Sequence, residues 1–135
     1  MDQVKYELDQ LSPVSAPGAL RYRYVNAWKP WLGPVRDWPL TVCDANTVDS
    51  KKDLQPRDLV GLDRISETYQ VHYSPTQTWF YMSNQMPNEV WLFLQADSSG
   101  QTGIPHTAFP HPDVGEDDLL RESIEVRMIV YHDLL

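Results

Sequence analysis

Alternation of side-chain character every second residue marks the strands of this chain more clearly than any helical period. From residue 20, Tyr22, Tyr24, Asn26 and Trp28 fall on one face of an extended segment while Arg21, Arg23, Val25 and Ala27 fall on the other. One polar residue, Asn26, therefore sits in an aromatic row. Near the C-terminus the same period runs over residues 121–131. It sets Ile124, Val126, Met128 and Val130 on one side and Arg121, Ser123, Glu125 and Arg127 on the other. Between these two segments, Leu40-Thr41-Val42-Cys43 is a short apolar run that suits a buried strand. Residues 90–94 predict a further strand, with Asp97-Ser98-Ser99-Gly100 as the turn after it. Residues 67–73 and 78–82 are β-branched and aromatic, flank Ser74-Pro75-Thr76-Gln77, and read as an antiparallel pair.

Turn residues divide these segments. Pro30, Gly33, Pro34 and Pro39 break the stretch before Leu40, and Ser12-Pro13-Val14-Ser15-Ala16-Pro17-Gly18 makes residues 1–19 an irregular lead-in. Residues 49–63 are the most charged part. Within them Pro56-Arg57-Asp58-Leu59-Val60-Gly61 predicts at most one helical turn ending at glycine. Short strands at turn-punctuated intervals, without repeats or heptads, predict an all-β sandwich or jelly roll with few short helices.

Composition narrows the functional classes. A length of 135 residues fits a single domain, 1–135, and 41% hydrophobic residues with five Trp and seven Tyr exclude a disordered chain. A formal charge of −8 with no basic run excludes nucleic acid as a partner. The lone cysteine, Cys43, cannot form an internal disulfide, and its apolar neighbours make it a small buried residue rather than a nucleophile. No apolar run approaches the ~18 residues of a membrane span, and the N-terminus lacks the basic-then-apolar pattern of a secretory signal. No membrane partner and a cytoplasmic location are expected.

The chemical candidates centre on His106. It lies in Pro105-His106-Thr107-Ala108-Phe109, and fifteen residues later comes Arg121-Glu122-Ser123. A guanidinium offers a fixed, permanently charged fork for a carboxylate, and a hydroxyl two residues along points to the same side of a strand. An exposed strand face paired through Glu125 explains the same residues, and Arg127 on that face is an alternative carboxylate clamp. The residues alone leave these readings open. His111-Pro112-Asp113 matches the His-x-Asp string of a non-haem iron site, but its flanking prolines deny it a strand ladder, so it reads as a loop. His72 and His132 read as structural imidazoles, and Asp97, Asp117 and Asp118 as turn or loop carboxylates.

Several segments in consistent order carry a family resemblance. They are Tyr24-Val25-Asn26-Ala27-Trp28-Lys29-Pro30, Gly33-Pro34-Val35-Arg36-Asp37-Trp38-Pro39-Leu40, Cys43-Asp44, Asp97-Ser98, the His106 segment and Arg121-Glu122-Ser123-Ile124-Glu125-Val126-Arg127. Together they resemble the fungal and bacterial hydroxylase/desaturase family that includes the cephem methoxylase small-chain, gibberellin desaturase and AsaB-like types. The resemblance implies an iron(II)/2-oxoglutarate oxygenase of secondary metabolism on a double-stranded β-helix, a jelly-roll or cupin-like fold. It implies His106 as the second metal histidine, Arg121 with Ser123 as the cosubstrate clamp, and the Asn26–Trp28 strand lining the barrel. Where the family pattern has Arg this chain has Lys29, which keeps charge and loses bidentate geometry.

Family members are longer and carry a His-x-Asp-Gln-like segment upstream, whereas this chain opens at Met1-Asp2-Gln3. The resemblance matches Asp2 to the carboxylate ligand, with its partner histidine before the first residue. The expectation is an N-terminally shortened member, the C-terminal part of an incomplete β-helix. Iron(II) and 2-oxoglutarate are its implied cofactors, a small metabolite its substrate, and its activity alone is weak or absent. The alternatives are a non-catalytic β-barrel module, binding a small molecule, self-associating or pairing with a fuller chain, and a truncated gene product.

Overall fold

The computed structural model describes residues 20–62 and 65–133 and contains eight strands and one short 3-10 turn over Ala45–Thr47. The strands are β1 (Leu20–Pro30), β2 (Leu40–Cys43), β3 (Leu54–Val60), β4 (Ile65–Val71), β5 (Trp79–Tyr81), β6 (Trp91–Asp97), β7 (His106–Ala108) and β8 (Ser123–Asp133). The fold is all-β, as the alternation predicts. One three-stranded sheet has the order β6-β1-β8 and a second has β5-β2-β7, with every pairing antiparallel. The remaining pair, β3-β4, is a separate two-stranded ribbon.

The core lies between the two three-stranded sheets. Trp28 of β1 and Phe93 of β6 meet Leu40 and Val42 of β2, and Trp91 and Ile104 pack against this cluster. The face that carries Asn26 and Trp28 is thus the inner one, and Asn26 is completely buried there. Burying an amide without partners would cost roughly 1–3 kcal/mol, so Asn26 must be hydrogen-bonded. The opposite face of this sheet is open: Leu92 and the row Ile124, Val126, Met128 and Val130 are all exposed.

A buried carboxylate ties β1 to the end of β6. Asp97 closes β6 with no exposed side-chain surface and receives Arg21 Nη2 at 3.0 Å and Arg23 Nε at 2.7 Å. Hydrogen bonds from Arg21, then Arg23, then Ser99 hold its carboxyl far below the ordinary carboxylate range. It also accepts the Ser99 amide, so the turn at residues 97–100 forms as expected, but Asp97 is an ion-pair anchor and not a simple turn residue.

Three sequence expectations require correction. Residues 56–61 form no helical turn; residues 54–60 are β3, laddered against β4 with Pro56 opposite Tyr69. Proline is admitted because, among the described residues, this ribbon has no further strand at its edges, where a missing N–H costs nothing. The segments at 67–73 and 78–82 are not partners: β4 pairs β3, while β5 pairs β2. The start of β5 is captured by the turn after β2, where the Asp44 amide donates to the Thr78 carbonyl and the Thr78 amide to Thr47 Oγ1. The last strand begins at Ser123, leaving Arg121 just ahead of it, because the Arg121 amide donates to the Asp37 carboxylate instead.

Candidate functional site

His106 opens β7, opposite Val42 of β2, and projects between the sheets. Its ring lies over Phe93 of the facing sheet, with centroids 4.6 Å apart and planes at 52°. Nδ1 is 2.9 Å from the Ile104 carbonyl oxygen. A carbonyl can only accept, so Nδ1 carries the proton and a neutral ring presents its lone pair at Nε2. Metal-bound imidazoles are oriented by this kind of second hydrogen bond. The side chain is half-buried, fixed on one nitrogen and available on the other.

Beneath Phe93, a polar chain crosses the inner face of the β6-β1-β8 sheet. Asn26 stands between Phe93 and Arg127 in the strand register. Arg127 Nε donates to Asn26 Oδ1 at 3.1 Å, and Asn26 Nδ2 donates to Gln95 Oε1 at 2.8 Å. These two bonds satisfy the buried amide and fix its orientation. Arg127 also approaches Glu125 at 3.8 Å, so its charge is partly engaged on its own strand.

Arg121 is held differently. Its Nη1 donates to the Trp38 carbonyl at 2.6 Å, and its Cζ lies 5.8 Å from the Trp28 ring centroid, within cation–π range. A planar guanidinium held on one nitrogen keeps other N–H groups for a carboxylate. Ser123 begins β8 opposite Pro30 and is exposed. Beside Trp28, the indole nitrogen of Trp91 is buried with no hydrogen-bond partner among the described residues.

The donor set answers to iron only in part. His106 suits one position, but among the described residues no three His, Cys, Asp or Glu side chains gather in a metal-binding group. Asp2 lies outside the described residues. Two guanidiniums, Arg121 just ahead of β8 and Arg127 within it, have the fork geometry that suits a carboxylate.

The other histidines are elsewhere. His111 occupies a loop, as its prolines predict, and joins Tyr81 Oη at 3.3 Å in a polar cavity of about 320 Å³ with Arg36, Asn84 and Asp113. His72 is exposed and bonds Gln55 Oε1. Cys43 is buried, as expected, and burial pushes its thiol up from the ordinary value. Sequence reasoning passed over Gln95. The alternation along Trp91, Phe93 and Gln95 could have placed it on the inner face, opposite the strand that carries Asn26.

Known proteins supply an independent comparison. The profile of the oxidoreductase/YMDC permease-like domain family matches residues 1–131. Aspirochlorine biosynthesis protein N of Aspergillus oryzae is 36% identical over 84% of this chain and 49% of its own length. The Fe(II)/2-oxoglutarate-dependent dioxygenase NvfI of Aspergillus novofumigatus is 36% identical over 82% of this chain and 41% of its own. The hydroxylase/desaturase AsaB of Aspergillus flavus is 33% identical over 98% of this chain and 66% of its own. The structure of the iron and α-ketoglutarate-dependent endoperoxidase NvfI superposes with a TM-score of 0.74 at 35% identity, over 84% of this chain and 43% of that one. The chain thus spans roughly two-fifths to two-thirds of the length of these relatives. Among the described residues no helix is long and apolar enough to cross a membrane.

Proposed function

This chain belongs to the hydroxylase/desaturase family of iron(II)/2-oxoglutarate oxygenases, and from that premise we propose that it serves the oxidation of a small secondary metabolite. His106 is the iron ligand in this reading, Arg121 with Ser123 the cosubstrate clamp, and Arg127 the alternative fork. Asp2 is the assigned carboxylate ligand. The observation that carries the reading is the His106 ring, whose Nδ1–H donates to the Ile104 carbonyl and whose Nε2 has no hydrogen-bond partner among the described residues.

Iron(II) with 2-oxoglutarate supplies oxygen-dependent oxidation of carbon when bound. The chain's own contribution is placement. Phe93 supports the His106 ring, and the Trp28 face with the Trp38 carbonyl orients Arg121 so that its remaining N–H groups can receive a carboxylate. The buried inner face around Trp28 and Phe93 limits water near His106. The thiol of Cys43 suits a reducing compartment, and the cytoplasm is the location we assign.

A non-catalytic module is the second reading, favoured by the lack of a three-donor group among the described residues. Anaerobic titration with iron(II), then 2-oxoglutarate, separates the two. The oxygenase reading expects saturable iron binding that weakens at least ~10-fold in His106→Ala, as lost ligation requires. It also expects 2-oxoglutarate affinity to fall ~10-fold or more in Arg121→Ala, with Arg127→Ala the control for the alternative clamp. Iron affinity equal in wild type and His106→Ala would remove His106 from the site.

A further inference from the structure

The outer edge of β8 is an eleven-residue strand with no strand beside it among the described residues. An unpaired strand of this length is a template for another strand. Its side chains make the template selective. The exposed row Ile124, Val126, Met128 and Val130 continues across the open face onto Leu92, and Glu125 and Arg127 stand on the opposite face.

The hydrogen-bond phase of this edge follows from one contact. The Trp31 amide donates to the Glu122 carbonyl at 2.8 Å, across the continuation of the β1–β8 register. Antiparallel ladders alternate, so residues 124, 126 and 128 turn their backbone groups toward β1. Residues 123, 125, 127 and 129 present theirs to the outside.

We propose that β8 pairs antiparallel with β8 of a second copy of this chain, with Val126 facing Val126 on the two-fold axis. In this register Glu125 of each copy lies opposite Arg127 of the other, and both residues belong to the set whose backbone groups face outward. Ile124 lies opposite Met128. A shift of two residues in one direction sets Glu125 against Glu125, and in the other Arg127 against Arg127, and like charges directly opposite destabilise a sheet pair. Because Glu125 and Arg127 already approach within 3.8 Å inside one chain, pairing closes a square of alternating charges. The apolar row becomes continuous across the two sheets.

Sedimentation of the full chain without added metal tests the dimer. A dimer at micromolar concentration is expected, with dissociation raised on the order of tenfold by Arg127→Glu and restored by the double exchange Glu125→Arg with Arg127→Glu. Val126→Cys should form an interchain disulfide under mild oxidation, since opposed residues at a non-hydrogen-bonded position bring Cα atoms to ~4.5 Å. Ile124→Cys alone should not. A monomeric chain overturns the proposal. So does a chain that dimerises only after residues 1–19 are removed, because that segment would then be the occupant of the edge. A dimer that survives Arg127→Glu, or one cross-linked through Ile124→Cys, overturns the register.

Discussion

The two halves of the candidate site are built to different standards of enclosure. On the His106 side, β2, β6 and β7 bring Leu40, Val42 and Phe93 into the core, and the histidine is pinned by one carbonyl and one ring. On the β8 side, Ser123, Glu125 and Arg127 lie exposed, and the strand's other face is exposed as well. A metal donor needs a fixed direction, which dense packing provides. A charged fork needs only a local anchor, and Arg121 and Arg127 each have one. The first half is therefore organised by burial and the second by individual hydrogen bonds.

Phe93→Ala is the most severe way to break this contrast. Removing a buried ring from the contact between the sheets should destabilise the chain by ~3–5 kcal/mol in urea unfolding. Arg127→Ala should cost less, ~1–3 kcal/mol, arising from the buried Asn26 oxygen left without its donor. Equal losses at the two positions would show that the β8 side is as enclosed as the other.

Asp97 comes next, and its effect carries a pH signature. Its carboxyl is held below the ordinary value of 3.8 by Arg21, Arg23 and Ser99, so the folded state favours the charged form. Stability from a depressed carboxyl is present above the unfolded value and is lost as pH falls toward the folded one. Asp97→Asn should thus lower the urea midpoint at pH 7, and the gap to wild type should narrow once pH drops below 3.8. A gap that stays constant with pH would mean that the ion pairs contribute nothing through charge. Because this anchor joins β1 to β6, it also reports whether β8 stays attached when the far end of its sheet loosens.

The unequal enclosure also explains what could be read from the sequence. Period-two alternation marks an extended segment whichever of its faces is covered, so the Tyr22–Trp28 strand and the last strand were legible to within two residues, and the apolar run at Leu40 was legible as a buried strand. Which face turns inward was not legible for β8, whose apolar row Ile124, Val126, Met128 and Val130 stands on the open face. Cys43 and the His111 loop followed from neighbours and from prolines. Strand partners were not legible where the cause lies in side chain–backbone bonds across long separations. Nothing local in Thr78 announces that its amide is taken by Thr47, yet that bond diverts β5 from β4 to β2. Asp97 read as a turn residue because its two arginines are more than seventy positions away. His106 stood out through its spacing to Arg121, whereas the Ile104 carbonyl that selects its tautomer belongs to a backbone path that composition does not encode.

Cys43 offers the mildest probe of the contrast, since it needs no mutation. It lies in β2 on the His106 side, is 2% exposed, and burial raises its thiol above the ordinary 9.0. Only the thiolate reacts, so alkylation at pH 8 requires both exposure and release of that shift. Alkylation should therefore stay slow in buffer and rise with urea in step with loss of tertiary signal. If Cys43 reacts at urea concentrations where the tertiary signal is still native, the β2 half opens by local unfolding. The enclosure that directs His106 would then be a property of one populated state rather than of the fold.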